Sequence, residues 1–339
     1  MARSRRAKEA LDAIPPLLER FRQSVLAAAF RGDLTADWRA QNPDVEPADQ
    51  LLERIRVERR RRWEEDYLKK QRAKGKEPKN DKWKAKYKEA EPAGGVHRLF
   101  RLPADWTWAL LGEVATVIDP NPSHRYPSYD GGTVPLLSTR EFAGQSSWQT
   151  ESAPLVPHSF WVFQEERCRF DERDIVFARK GRLGFARRLP AVRQFTFSHT
   201  MFVVKPEPPL GSEYLLWYLR RPEVVAYLLR EMNSNTGVPT LGKAFLERLP
   251  VPLPPRTEQS AIAARVRGID ARAECVGDAA EDGRRVARTL DAAVLAKAFR
   301  GELVPQDPND EPASVLLERI RAQRQAEKPK NKPRRKRGS

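Results

Sequence analysis

The chain has 339 residues, room for about two ordinary domains, and its 62 Lys+Arg against 46 Asp+Glu give a formal charge of +16 with only 40% hydrophobic residues. That balance makes a polyanion, nucleic acid first, the default partner, and it assigns part of the length to exposed helix, linker or tail. Two cysteines (Cys168, Cys275) and four scattered histidines (His97, His124, His158, His199) make no disulfide framework or zinc motif, and with no membrane-length apolar run or signal-peptide core the expected setting is the reduced cytoplasm.

In chain order, Leu11, Ile14, Leu18, Phe21 and Val25 keep a four-and-three spacing that predicts a helix over 4–30. Pro15-Pro16 is the expected place for a kink or a fresh helix start. Residues 48–72 read as a charged helix carrying Arg59-Arg60-Arg61-Arg62, with Trp63 and Tyr67 one turn apart. Residues 73–95 are a lysine-rich linker in which Trp83 and Tyr87 repeat that spacing. The stretch 101–255 is different material, richer in aromatics, proline and glycine. Strands are predicted at 133–137, 174–179, 184–189, 194–204 and 249–253, and helices at 214–219, 224–232 and 241–248. Lys180-Gly181-Arg182-Leu183-Gly184 is expected to turn a hairpin.

Beyond it, Ile262, Val266, Ile269, Ala273, Val276, Ala280, Gly283, Ala287, Leu290 and Val294 form an a/d seam. That is a helix of roughly 50 Å at about 1.5 Å per residue. Its small residues predict close approach by a partner helix. The chain ends in a basic tail, expected to be disordered, that would bind any polyanion and specifies nothing.

The two flanks are copies of one element. Residues 25–34 (VLAAAFRGDL) match 294–303 (VLAKAFRGEL), and the stretch ending Glu46-Pro-Ala-Asp-Gln-Leu-Leu-Glu-Arg-Ile-Arg56 matches the one ending Glu311-Pro-Ala-Ser-Val-Leu-Leu-Glu-Arg-Ile-Arg321. The loop joining the blocks is four residues shorter in the second repeat, as a duplicated helix–loop–helix unit allows.

A search for catalysis returns near misses. Gly237-Val-Pro-Thr-Leu-Gly-Lys243 has the spacing of a phosphate-binding loop, but Ala244 stands where Ser or Thr must reach Mg²⁺ and Pro239 removes an N–H. A turn before a short helix is the expected structure. Asp119-Pro-Asn-Pro122 is similar to the loop of amino-methyltransferases without its aromatic residue, so a proline-stiffened turn is expected. Asp171, Glu172 and Asp174 read as a solvated strand entrance, and no nucleophile–base spacing stands out. The chain reads as non-catalytic.

Among the basic features, Arg59-Arg60-Arg61-Arg62 has Glu53, Glu58, Glu64 and Glu65 close by, so a salt-bridged face competes with phosphate binding. Trp83 and Tyr87 suit base stacking or docking on a neighbour equally. The sharper signal is Arg179, Lys180 and Arg182 at the hairpin tip, where Arg or Lys can pair with guanine in a groove. Arg187 follows on the returning strand, and Arg140, Asn233 and Asn235 sit in short polar loops of the kind that reads base edges.

Together these pieces resemble the specificity (S) subunit of type I restriction–modification systems. The resemblance is carried by Leu249-Pro-Val-Pro-Leu-Pro-Pro-Arg-Thr-Glu-Gln259 leading into the seam, and by the paired Ala29-Phe-Arg-Gly-Asp-Leu34 and Ala298-Phe-Arg-Gly-Glu-Leu303 blocks. Asp174-Ile-Val-Phe-Ala-Arg-Lys-Gly-Arg-Leu-Gly184 and Trp106-Thr-Trp-Ala-Leu-Leu-Gly112 add to it, and it covers about 8–325.

The resemblance implies an α+β fold in which one globular target-recognition domain is flanked by helical repeats forming an antiparallel coiled-coil rod. It divides the chain into a partial first repeat (1–72), a basic linker (73–100), the recognition domain (101–255), a second repeat with its coiled-coil helix (256–325) and a disordered basic tail (326–339). It also implies double-stranded DNA as ligand and a non-enzymatic role. Methyltransferase (M) and restriction (R) subunits would be the partners, and they, not this chain, would bind S-adenosylmethionine, ATP and Mg²⁺. Docking to partners falls to Phe30, Arg31, Leu51 and Ile55 in the first repeat and to Phe299, Arg300, Leu316 and Ile320 in the second.

A full S subunit has two recognition domains and two complete repeats, whereas this sequence has one domain and a first repeat lacking its start. Either the 4–30 helix packs antiparallel on 262–294 within one chain, or two chains pair through the coiled coil as a homodimer reading an interrupted palindrome. The readings from other classes are a stand-alone nuclease or methyltransferase and a non-specific DNA-binding scaffold.

Overall fold

The computed structural model describes residues 2–93, 100–144, 146–231, 240–305, 307 and 309–326. Helix α1 (Ala2–Arg31) leads through a turn to α2 (Ala36–Gln41) and α3 (Ala48–Ala73). The central region follows as β1 (Thr107–Leu110), α4 (Leu111–Val114), β2 (Ala115–Ile118), β3 (Val134–Leu137), β4 (Phe142–Ala143), β5 (Ser147–Trp148), β6 (Leu155–Val156) and α5 (His158–Cys168). Then come β7 (Ile175–Ala178), β8 (Ala186–Arg188), β9 (Thr196–Phe197), β10 (Met201–Pro206), α6 (Ser212–Leu219), α7 (Pro222–Glu231), α8 (Lys243–Glu247) and β11 (Pro250–Leu253). The 44-residue α9 (Arg256–Phe299) and α10 (Ala313–Ala326) complete the chain. Residues 15–277 form one compact unit; the described residues before 15 and after 277 form the other.

The larger unit is built on an antiparallel sheet ordered β2-β10-β7-β8. All four residues of β7 are buried, which is why it reads as an unbroken apolar run rather than as an alternation. Its pleat still sorts the side chains two by two. Ile175 and Phe177 join one core with Phe202, Val204, Tyr214 and Tyr218. Val176 and Ala178 join a second with Met201, Val203, Phe197 and Leu137. Strand β3 pairs antiparallel with β6 and parallel with β9.

The proline-alternating β11 pairs antiparallel with β1. Prolines fit there because the strand has only one neighbour and their carbonyls remain useful. Pro252 O accepts from the Tyr214 hydroxyl at 2.6 Å, and Pro250 O accepts from the Tyr218 hydroxyl.

The first repeat is part of this core. Phe30 lies 5.2 Å from the rings of both Tyr214 and Tyr218, and Leu51, Leu52 and Ile55 of α3 join the same cluster. Gly32, at φ 88°, makes the turn after α1; a Cβ there would meet Pro103 Cγ at 2.5 Å, so only glycine fits. Glu258, buried in the first turns of α9, accepts from Thr35 Oγ1 (2.6 Å), Arg39 (2.5 Å) and the Trp106 indole N–H (2.8 Å). One carboxylate of the Glu258-Gln259 pair thus ties the first repeat and the entrance of the domain to the long helix. Arg22 to Asp270 (2.8 Å) holds α1 beside α9, and Arg265 to Asp37 (2.6 and 2.9 Å) holds α2 beside an earlier turn of α9.

In the smaller unit α1 and α9 are antiparallel, with Arg284 on Asp12 at 3.2 Å and Lys8 paired with Asp291. A Cβ on Gly283 would meet Leu11 at 3.1 Å, so the small seam residue admits the close approach that its sequence predicts.

Several expectations are corrected. Helix α1 runs through Pro15-Pro16 without a break. The strand expected over 194–204 is two strands with a turn between them, and α5 was not anticipated. Residues 73–93 are not free linker: Trp83 is buried and its ring stacks on Tyr67 at 4.9 Å, within a cluster that includes Trp63 and Tyr87. The tail from residue 327 lies outside the described residues.

Candidate nucleic-acid interface

Five loop segments of the larger unit meet at one edge of its central region. The 179–184 turn between β7 and β8 bends at Gly181 (φ 77°) and Gly184 (φ 83°), where a Cβ on Gly184 would strike Val225 at 2.2 Å. Its base is pinned by Arg179 N donating to Thr200 O (2.9 Å) and Leu241 N donating to Arg179 O (2.9 Å). A Cβ on Gly181 would lie 3.1 Å from Thr139 Oγ1, so the loop after β3 touches the turn. The loop after β2 joins through Asp119, which receives Arg179 at 2.7 Å, and through Tyr126, whose hydroxyl contacts His199.

This edge is electropositive because its carboxylates are used internally. Asp119 is held by Arg179, and Glu141 is buried, accepting from Ser138 N (2.6 Å) and Ser138 Oγ (2.7 Å). Exposed Arg125 and Arg140 and half-buried Lys180 have no ion-pair partner among the described residues. Arg182 is exposed and donates one guanidinium N–H to Phe142 O at 3.0 Å.

The structure separates the expected DNA contacts. Arg140, Lys180 and Arg182 are brought together by the loops just described. Arg179 is structural: most of its side chain is buried, paired with Asp119 and 4.4 Å above the Phe202 ring. Arg187 is removed from the set, because it has no exposed surface and donates to the carbonyls of Ala143, Gly144 and Ser147. Its guanidinium lies 3.7 Å over Phe142, and burial, with Arg220 and Arg182 nearby, pulls its pKa down to about 10. It fastens the β4–β5 hairpin to β8 and cannot reach a base. Asn233 and Asn235 lie outside the described residues.

The other basic cluster is a salt-bridged face. Arg60 pairs with Glu64, Arg61 with Glu58 and Glu65, Arg62 with Glu58 and Glu207, and Arg59 with Glu207. The aromatics Trp63, Tyr67, Trp83 and Tyr87 are engaged with one another rather than presented for base stacking.

The expected docking residues divide in the same way. Phe30, Leu51 and Ile55 are wholly buried in the chain's own core, so they are corrected to packing residues, while Arg31 is exposed and pairs with Asp33. Their counterparts in the second repeat are open: Phe299 is 90% exposed, Leu316 50% and Ile320 39%. Arg300 is exposed and pairs with Glu302 as Arg31 does with Asp33.

Sequence reasoning passed over Arg125, His124 and His199. The histidine rings lie 4.7 Å apart although 75 positions separate them, and no spacing rule announces such a pair. Among the described residues no group of three His, Cys, Asp or Glu could hold a metal ion, and no helix is long and apolar enough to cross a membrane. Asp171 and Asp174 work in the fold instead: Asp174 accepts from Asp171 N (3.0 Å) and pairs with Lys205 (2.6 Å).

Comparison with known proteins gives the family. Residues 103–275, just over half of the chain, match the type I restriction modification DNA specificity domain family. The specificity subunit of the type I restriction enzyme EcoEI from Escherichia coli is 24% identical, over 89% of this chain and 54% of its own length. That of EcoDI, also from Escherichia coli, is 25% identical, over 96% of this chain and 65% of its own. The chain therefore spans between half and two thirds of the length of these relatives. The crystal structure of the HsdS subunit from Thermoanaerobacter tengcongensis, at 23% identity, covers 76% of this chain and 57% of that one with a TM-score of 0.39. With β1 through β11 and the Glu258-Gln259 junction all inside the matched span, this chain belongs to the type I restriction–modification DNA specificity family.

Proposed function

We propose that the larger unit reads a short site on double-stranded DNA as the specificity component of a type I restriction–modification complex, making no covalent bonds itself. The observation that carries this reading is the loop edge where Arg125, Arg140, Lys180 and Arg182 gather while Asp119 and Glu141 are spent internally. Arg182 and Lys180, at the tip of a turn, suit guanine O6/N7 in the major groove, and Arg125 and Arg140 suit phosphates. S-adenosylmethionine, ATP and Mg²⁺ would belong to methyltransferase and restriction subunits.

Binding of those subunits, or of a second copy of this chain, falls in this reading to the second repeat. Support comes from the exposure of Phe299, Leu316 and Ile320 and of Val286 and Leu290 on α9, an apolar surface larger than isolated surface residues explain. Light scattering tests the homodimer: a mass of 38.8 kDa at micromolar concentration would exclude it.

The DNA reading is tested by fluorescence anisotropy of a labelled duplex over a salt series. Arg125→Glu with Arg140→Glu should weaken binding and lower the slope of log K against log salt by about 2, near 0.9 for each lost phosphate contact. An unchanged slope and affinity would refute the assignment of this edge.

A further inference from the structure

The cations of the loop edge only donate hydrogen bonds, and beside them the edge holds a pair of imidazoles, His124 and His199, whose ring nitrogens can donate or accept. His199 is held from two sides by one hydroxyl: its backbone N–H donates to Tyr126 Oη at 2.9 Å, and its Nδ1 lies 2.5 Å from the same oxygen. Having received that backbone proton, the Tyr126 hydroxyl can give its own proton to Nδ1. In that arrangement the ring proton sits on Nε2. Nε2 has no hydrogen-bond partner among the described residues.

His124 stacks on this ring at 4.7 Å and 31°. It does so from a left-handed backbone (φ 54°), a region in which histidine is enriched among non-glycine residues. The turn is closed by Asn121, which is buried, receives His124 N at its carbonyl at 3.1 Å and donates its side-chain amide to Arg125 O at 3.2 Å. His124 itself is exposed.

We propose that His199, with His124 stacked on it, is a specificity-determining residue whose neutral Nε2–H reads a hydrogen-bond acceptor on one base edge. This rests on the reading of the larger unit as a DNA reader. The groups facing His199 are His124, Lys180, Arg179 and Asp119, together with the Tyr126 hydroxyl. Burial, then His124, Lys180 and Arg179, lower its pKa, and the opposing pull of Asp119 is weaker because Arg179 occupies that carboxylate. These causes favour the neutral ring. Acceptors in the major groove are purine N7, guanine O6 and thymine O4, and a donor here disfavours the amino groups of adenine and cytosine.

The test uses the full chain. Selection from a random duplex library at pH 7.5 defines the preferred site, and dissociation constants are then measured for that site and for each single base-pair change. The wild type is expected to prefer an acceptor-bearing base at one position by about tenfold. His199→Phe keeps an aromatic ring without the N–H and should abolish the preference at that position alone. Tyr126→Phe leaves the imidazole in place but frees its tautomer, and should reduce the same preference. Loss spread evenly over all positions, or none at any, in both variants would overturn the proposal while leaving the DNA reading intact. A wild type that selects no sequence would overturn the DNA reading itself.

Discussion

Replacing Phe30 and Phe299 by alanine, one at a time, puts the two repeats in direct competition. The residues stand at the same place in nearly identical sequence, but Phe30 is wholly buried and Phe299 is 90% exposed. Phe30 packs 5.2 Å from both Tyr214 and Tyr218, with the Arg221 guanidinium 5.5 Å above its ring. Phe→Ala in such a site costs about 3–5 kcal/mol, from lost apolar transfer and from a cavity that the rigid tyrosines, anchored to β11, cannot close. For a unit of this size that is a fall in Tm of roughly 10 °C, at about 2–4 °C per kcal/mol. Phe299→Ala should stay within about 0.5 kcal/mol, as surface changes do. Circular dichroism of the intact chain under heating and in urea measures both. Equal shifts, or a Phe30→Ala variant as stable as wild type, would refute the assignment of Phe30 to the core.

Three further outcomes follow from named contacts. Glu258→Ala strands Arg39, Thr35 and the Trp106 indole together and should cost about 3–5 kcal/mol by urea unfolding, as breaking a buried ion pair from one side does; a loss under about 1 kcal/mol would contradict the junction role. The Arg265 guanidinium holds the Asp37 carboxyl at about 2, below its ordinary 3.8, so this pair adds stability above the unfolded value and loses it as pH falls through about 2. Asp37→Asn should remove that part of the acid-limb slope seen by thermal melts. Burial pushes the Cys168 thiol up to about 12 while Cys275 is exposed, so a thiol reagent at pH 8 should label one cysteine in the folded chain and two after unfolding.

Features with a repeating cause were legible in the sequence. The a/d seam dictates α9, and matched blocks reveal the duplicated element, because periodicity and repetition survive without knowledge of contacts. The hairpin turn was legible through Gly181 and Gly184, both of which take positive φ. What sequence could not show is which face of an apolar residue finds a partner. Phe30 and Phe299 read alike, and only three-dimensional packing makes one core and the other surface. Arg187 looked like a DNA contact because charge is normally exposed. Three backbone carbonyls and the Phe142 face give it a buried place that no local rule foretells. Proline was overweighted at residues 15 and 16, where a helix supported by its antiparallel neighbours runs on.

The central claim, that this chain aims at DNA and distinguishes one sequence from another, meets its most direct test in a competition between two duplexes. One is the site enriched from a random library, the other the same composition scrambled, both titrated against the full chain at physiological salt. The account predicts a single short motif and a preference for it that persists as salt is raised, while affinity for the scrambled duplex falls away. Equal affinity for both duplexes at every salt concentration would contradict it.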